Sequence, residues 1–402
     1  MKAFSPAGMA VKGFFGYGAR TLGNPDGALK GGGAYAAGGA SPFGPDQGGG
    51  GAVIPAIAWT AHPKFIDESG IVAMGYGDDI ANGISYMLIS ANDDTSGLGF
   101  AYVSADGVNW TKKAQLPAGI WFASGGHAGP NPALIFNNGA WIVAAIDSQP
   151  GIGAENSSVA LSTDAGATWS VQETGIPGIL QSSALAGNGG AELILICENQ
   201  GNNNYVATSL DSGATWTVSA PFPNGSVAGS FFFDGSSHFT FIGLEEATLN
   251  AAVATLEEGE SIWTYNSNDS GNVTFFNGGQ FKGSFVAAGP LAPGFTSIGV
   301  FTSALVADLP TAGGAPTPDP PNQANPNPLA MIATADNLFV LANDGATSNV
   351  WNSPDGINWS PASHLVPAGS SVIAGTAFAY NPVNAHVLVG DLFSGIVSFA
   401  VS

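Results

Sequence analysis

Short apolar runs joined by tight polar turns recur along the chain from about residue 53 to residue 402. Ala133-Leu-Ile-Phe-Asn-Asn-Gly-Ala-Trp-Ile-Val-Ala144 shows the unit. Asn-Gly between two apolar runs predicts a hairpin, because both central residues of the tight turn take positive φ. Ser230-Phe-Phe-Phe-Asp-Gly-Ser-Ser-His-Phe-Thr-Phe-Ile242 and Ala377-Phe-Ala-Tyr-Asn-Pro-Val-Asn-Ala-His-Val-Leu-Val389 repeat the pattern. Further strands are expected at Ile71–Gly75, Tyr86–Ser90 and Phe100–Ser104. Each unit reads as apolar strand, polar turn, apolar strand, and then a polar octet.

The octet is Ser162-Thr-Asp-Ala-Gly-Ala-Thr-Trp169, with Ser162, Asp164, Gly166 and Trp169 as its fixed points. It returns at Ser209, Asp211, Gly213 and Trp216. One residue shorter, it appears at Ser104, Asp106, Gly107 and Trp110, and at Ser353, Asp355, Gly356 and Trp359. A degenerate copy runs from Thr255 to Trp263, and a worn one from Ser303 to Leu309. The chemistry suits a tight turn: Asp accepts hydrogen bonds from backbone N–H groups, and Gly supplies positive φ. These residues resemble the Asp-box, or BNR, repeat of sialidases and other β-propellers. The resemblance implies a hairpin turn between the third and fourth strands of a propeller blade, with the Trp packing back on the blade. The box is then a folding device, and its Asp residues are structural.

The Trp-to-Trp steps are 59, 47, 47, 46 (to the Leu309 slot) and 50 residues. A period of about 40–50 with several short strands per unit is a propeller signature. Trp59 lies 51 residues before Trp110, and Phe399-Ala-Val-Ser402 matches Ala101-Tyr-Val-Ser104. The frame predicts a seven-bladed β-propeller over residues 53–402. Its last blade takes three strands from the C-terminus and its outer strand from around Val53–Trp59, which removes an open sheet edge.

Composition adds limits. Apolar residues make up 45% and charged residues 9%, with 58 Gly, as expected of a turn-rich all-β protein. The net charge of −21 argues against a nucleic-acid partner. Residues 1–52 hold Lys2, Lys12, Arg20 and Lys30 against Asp26 and Asp46, a balance of +2; the rest holds four Lys and 27 acids, a balance of −23. The lone Cys197 lies in the apolar run Leu193–Glu198, so it reads as a buried thiol. No run of 18 apolar residues predicts a membrane span, and the first residues lack the apolar core of a secretory signal.

Residues 1–52 contain 16 Gly, with Phe4, Phe14, Phe15, Tyr17, Tyr35 and Phe43 among them. They read as an irregular Gly-rich arm that orders on a partner surface, an anchor. The Pro-rich stretch 310–328 between blades five and six is expected to stay out of the sheets as a surface excursion.

Catalytic constellations are hard to build. The resemblance to sialidases implies a triad of arginines for a substrate carboxylate, but the chain has one arginine, Arg20, outside the ring. Asp67, Glu68, Asp78 and Asp79 show no spacing that selects a glycosidase pair. Asp78-Asp79 and Asp93-Asp94 could offer Ca²⁺ ligands but lack EF-hand spacing, so solvated turns are expected. His62, His127, His238, His364 and His386 show no metal-ligand spacing, and no cofactor motif is present. Trp121, Trp141 and Trp351 fall outside the repeat frame. Trp141 follows a hairpin turn and is expected in the core, whereas Trp121 and Trp351 are candidate stacking platforms for sugar rings.

The expectation for function is a non-enzymatic bacteriophage virion protein. Its arm binds other virion proteins, and its ring is displayed outward, in several copies, as a tail-fibre or receptor-binding component facing host surface glycans. A capsid-decorating protein, an extracellular or cell-surface bacterial adhesin and a polysaccharide hydrolase are the alternatives.

Overall fold

A computed structural model describes residues 57–62, 70–90, 99–117, 133–144, 156–177, 180–199, 204–219, 222, 228–245, 250–267, 277–291, 297–311, 314–316, 327–343, 348–360, 363–365, 376–391 and 396–400. The Gly-rich arm 1–52 lies outside them.

The described residues form seven four-stranded antiparallel sheets, the blades of a closed ring. After β1 (Thr60–His62), blade one holds β2 (Ile71–Asp79), β3 (Ile84–Ser90), β4 (Phe100–Ser104) and β5 (Thr111–Gln115). Blade two holds β6 (Ala133–Asn137), β7 (Ala140–Ala144), β8 (Asn156–Ser162) and β9 (Ser170–Pro177). Blade three holds β10 (Leu180–Gly187), β11 (Leu193–Asn199), β12 (Asn204–Ser209) and β13 (Thr217–Val218). Blade four holds β14 (Ala228–Phe233), β15 (His238–Glu245), β16 (Asn250–Glu257) and β17 (Thr264–Ser267). Blade five holds β18 (Asn277–Phe281), β19 (Ser284–Leu291), β20 (Ser297–Ser303) and β21 (Gly314–Pro316). Blade six holds β22 (Asn327–Ala333), β23 (Leu338–Asn343), β24 (Ser348–Ser353) and β25 (Ser363–Leu365). Blade seven joins β26 (Thr376–Asn381), β27 (His386–Asp391) and β28 (Ile396–Ala400) to β1, with Thr60 opposite Ser398 and His62 opposite Ile396.

The closing strand therefore starts just after Trp59, later than the Val53–Trp59 expected from spacing. The reason is internal to the repeat: in blade one the outer strand likewise starts at Thr111, just after Trp110. The Pro-rich stretch also differs from expectation. Gly314–Pro316 pairs with β20 as an outer strand, and Pro328 lies opposite Ala342 beside a register shift. An outermost strand and a bulge are the sheet positions where a missing N–H costs least.

Seven apolar clusters hold the ring, one at each blade-to-blade interface. The cluster between blades seven and one packs Ala379, Leu388 and Ile396 against Ile71, Tyr86 and Tyr102, so the last interface is made like the others. Middle strands are buried on both faces, which is why β7 and Leu193–Cys197 read as unbroken apolar runs. Near the ring axis the inner strands approach closely: a Cβ on Gly77 would stand 2.3 Å from Phe136 Cβ.

Candidate functional site

The four intact boxes sit between the third and fourth strands of blades one, two, three and six. In each, the Ser hydroxyl donates to the Asp carboxylate, at 3.0 Å for Ser104 and 2.9 Å for Ser162, and accepts the Gly N–H, at 2.8 Å for both Gly107 and Gly166. The carboxylate then accepts the backbone N–H of the residue before the Trp, and that residue's side chain closes on its second oxygen. Thr168 Oγ1 donates to Asp164 Oδ2 at 2.6 Å and Thr215 Oγ1 to Asp211 Oδ2 at 2.6 Å. In the shorter boxes Asn109 Nδ2 and Asn358 Nδ2 donate instead, at 2.8 and 2.7 Å, to Asp106 and Asp355. The extra residue of the long form is absorbed by two consecutive left-handed residues, Ala165–Gly166 and Ser212–Gly213.

These contacts set the electrostatics. Partial burial pushes the Asp106, Asp164 and Asp355 carboxyls up, but the converging N–H and O–H donors outweigh it and hold all three below the usual range. Asp211 is lowered chiefly by the Thr215 hydroxyl and N–H. The box carboxylates are anions whose acceptor sites are engaged within their own turns.

The box tryptophan packs at the seam between its own blade and the preceding one: Trp110 lies against Tyr86 and Trp263 against Phe231, each of the same blade. Trp110, Trp169, Trp216, Trp263 and Trp359 each enter the cluster shared with the preceding blade. Trp59 fills the equivalent place in blade seven. In blade five Leu309 takes it, wholly buried in a 3-10 turn, Val306–Thr311, that replaces the box.

The inner hairpin turns share the end of the ring that bears the boxes, here called the box face, and several reach forward to the next blade. Asn82 Nδ2 donates to the Thr163 carbonyl, Asn138 Nδ2 to Ser212 Oγ, Asn188 Nδ2 to Glu258 Oε1 and Lys282 Nζ to the Pro354 carbonyl. Each contact runs from the turn of one blade to the box region of the next. Glu192, 6% exposed, accepts the Gly259 N–H at 3.3 Å across the same seam. Burial pushes its carboxyl up and Glu258 adds to this, against the Gly259 hydrogen bond.

The candidate binding residues fare differently. Trp351 has no exposed surface and lies in the cluster between blades five and six, so it offers no stacking face. Its strand, β24, is covered on both sides by neighbouring blades, which leaves no solvent side for a non-repeat aromatic. Trp121 and Asp93-Asp94 lie outside the described residues. Asp79, expected as a solvated turn residue, is 3% exposed: its carboxylate accepts Trp141 Nε1 from blade two at 3.2 Å and Asn82 Nδ2 at 3.0 Å. Neither that seam nor Glu192 was visible in local spacing, because the partners lie 62 and 67 residues away. Cys197 is a buried free thiol. Among the described residues, no group of three or more His, Cys, Asp or Glu stands together to hold a metal ion, and no helix is long and apolar enough to cross a membrane.

Residues 86–273 match the family model of the BNR repeat-like domain. The fold resembles a solved structure titled YCF48 bound to D1 peptide, at 14% identity and a TM-score of 0.55, over 87% of this chain and 98% of that one. It also resembles the GH74 xyloglucanase of Xanthomonas campestris, at 14% identity and a TM-score of 0.56, over 86% of this chain and 54% of that one, about half the enzyme's length. No curated protein matches the sequence. Box geometry, seven interfaces and these likenesses converge on a seven-bladed β-propeller, of which residues 86–273 are similar to the BNR repeat-like domain.

Proposed function

We propose that the protein is a non-catalytic bacteriophage virion component, a propeller held in a larger assembly through residues 1–52 and displaying its ring to a host surface glycan. The observation that carries the non-catalytic part is the engagement of the box carboxylates. Each accepts several donors from its own turn, so none of Asp106, Asp164, Asp211 or Asp355 is free to act as an acid or nucleophile. The single arginine, Arg20, precludes an arginine triad within the ring. The assembly part rests on composition: a positive, aromatic-bearing arm joined to an acidic ring with four lysines. Within this reading the tail-fibre or receptor-binding role precedes capsid decoration.

Immunogold electron microscopy of a host lysate, with antibody raised against residues 53–402, tests the reading. Gold at particle tails is the expected result. Gold on cell envelopes beside unlabelled particles would overturn it and favour an adhesin.

A second reading, polysaccharide hydrolysis, is favoured by the likeness to the xyloglucanase. It is tested by release of reducing ends from xyloglucan and from host surface polysaccharide. The proposed reading expects none.

A further inference from the structure

The sequence holds five Asn-Gly pairs, beginning at Asn82, Asn138, Asn188, Asn224 and Asn277. Asn-Gly suits a hairpin turn, but it is also a pair open to a slow reaction of the chain with itself. Glycine has no side chain to shield its nitrogen, and that nitrogen can attack the amide carbon of the asparagine before it. The bond from Asn Cγ to Nδ2 then breaks, ammonia leaves, and a succinimide ring remains. Water opens the ring at either carbonyl, giving aspartate or isoaspartate, in which the backbone runs through the side-chain carbon.

Asn224 lies outside the described residues, and the fold treats the other four differently. Asn277 is in β18, and the nitrogen of Gly278 donates to Ser230 Oγ at 3.0 Å. Asn188 is fixed at both ends of its amide: Nδ2 donates to Glu258 Oε1 at 2.6 Å, and Oδ1 accepts the Gly190 N–H at 2.8 Å. The nitrogen that would attack it, Gly189 N, donates to Asn137 Oδ1 at 2.8 Å. Asn82 Nδ2 donates to both oxygens of the buried Asp79, at 3.0 Å each, and Gly83 N donates to the Ile80 carbonyl at 3.3 Å. The Asp79 carboxylate also disfavours the negative charge that an attacking nitrogen must carry.

Asn138 has none of these restraints. With Asn137 opposite Ala140, Asn138 and Gly139 are the central residues of a tight turn, at φ of 46° and 79°. Both are exposed, and a Cβ on Gly139 would meet nothing within 4 Å. Among the described residues nothing accepts the Gly139 N–H. The Asn138 amide has one tie, from Nδ2 to the neutral Ser212 hydroxyl at 2.8 Å.

We infer that Asn138–Gly139 is a self-modification site that deamidates through the succinimide, and that the seam contacts tying Asn82 and Asn188 to their neighbours shield those turns from the same chemistry. The product alters a blade seam. Asn138 Nδ2 donates across to blade three, whereas the acid has no N–H to give there and stands beside the Asp211 box. Isoaspartate also lengthens a turn that the register of β6 and β7 fits without spare chain. The inference concerns the ring itself and stands apart from the virion reading.

Incubating the full chain in warm, mildly alkaline buffer tests it. Samples are digested with pepsin in acid, where the reaction stops, and each peptide is read for the mass gain of NH2 exchanged for OH. Having to free an amide from a carboxylate, or a glycine N–H from its acceptor, slows conversion, so Asn138 should convert about tenfold or more faster than Asn82 and Asn188. In urea, where the fold is lost, the three should convert at similar rates. Glu258→Ala removes an exposed partner of Asn188 and should speed conversion there while leaving Asn138 unchanged. Asn82 or Asn188 converting as fast as Asn138 in the folded chain would overturn the inference. A folded Asn138 that stays intact while the unfolded chain converts would overturn it too, and no rise at Asn188 in Glu258→Ala would overturn the shielding.

Discussion

Asp164→Ala isolates what a box contributes. The substitution removes the acceptor of three hydrogen bonds, from the Ser162 hydroxyl at 2.9 Å, the Thr168 N–H at 2.8 Å and the Thr168 hydroxyl at 2.6 Å. Bonds to a charged acceptor are worth about 1.5–3 kcal/mol each when water cannot replace them. Here water largely can, because Thr168 is exposed and Asp164 is only half-buried. The comparable loss is that of a helix N-cap, about 1–2 kcal/mol. Unfolding entropy near 2.1 cal/mol/K per residue, over a ring of roughly 350 residues, turns this into a Tm drop of about 1–3 °C.

Urea denaturation followed by tryptophan fluorescence measures the same difference. Thr168→Val, which loses only the bond to Oδ2, should fall between the wild type and Asp164→Ala. The pH dependence adds a sign. The folded carboxyl lies below its ordinary range, so its contribution is present above about pH 4 and is lost as pH falls through the folded value. The gap between wild type and variant should therefore narrow in acid. Equal stability of wild type and Asp164→Ala at pH 7, or a gap that widens in acid, would refute the turn-locking role.

Other expectations concern the interfaces. Gly77→Ala places a methyl 2.3 Å from Phe136 Cβ in the neighbouring blade and should cost about 1–3 kcal/mol or more by calorimetry; an unchanged melt would mean that the blades can separate without penalty. Trp351→Ala empties a wholly buried site and should cost about 3–5 kcal/mol in urea titration while leaving any glycan affinity intact. At the closure, burial lowers His62, with Asp106 opposing; burial and His62 together lower His386. Both groups favour the neutral form in the folded state, so their contribution holds above about pH 6.5 and is lost as pH falls through their folded values. The urea midpoint should drop between pH 7 and pH 5, and His386→Gln should reduce that drop.

The fold was legible because the box is over-determined. A carboxylate, a hydroxyl two residues before it, a left-handed Gly and a Thr or Asn donor must occur together for the turn to satisfy its own N–H groups, and they leave a regular mark. Leu309 was legible only through spacing, since its 3-10 turn keeps the buried anchor and discards the Asp and Gly. Trp351 was misread because alternation, the sign of a solvated strand face, vanishes where both faces are packed: Val350 and Trp351 are successive and both buried. The seams at Asp79 and Glu192 could not be read locally. Each is a contact between neighbouring repeats, and only the ring's geometry brings its partners together.

The forward reach of the inner turns bears on why the ring closes with so short a strand. β1 has three residues and three register pairs, too little to hold two ends of a chain by ladder hydrogen bonds alone. The joint is supported elsewhere. Ile57 and Trp59 pack into the interface between blades six and seven. Leu388 and Ile396 pack against blade one, and the His62 ring nitrogen meets the Ser398 hydroxyl at 2.6 Å. The Gly107 turn closes the same seam, since a Cβ there would stand 2.8 Å from Leu388 Cδ1. Blade seven thus meets blade one through the apolar packing used at every other interface. The short strand sets the register of the ends, and side-chain burial on both sides supplies most of the closing stability.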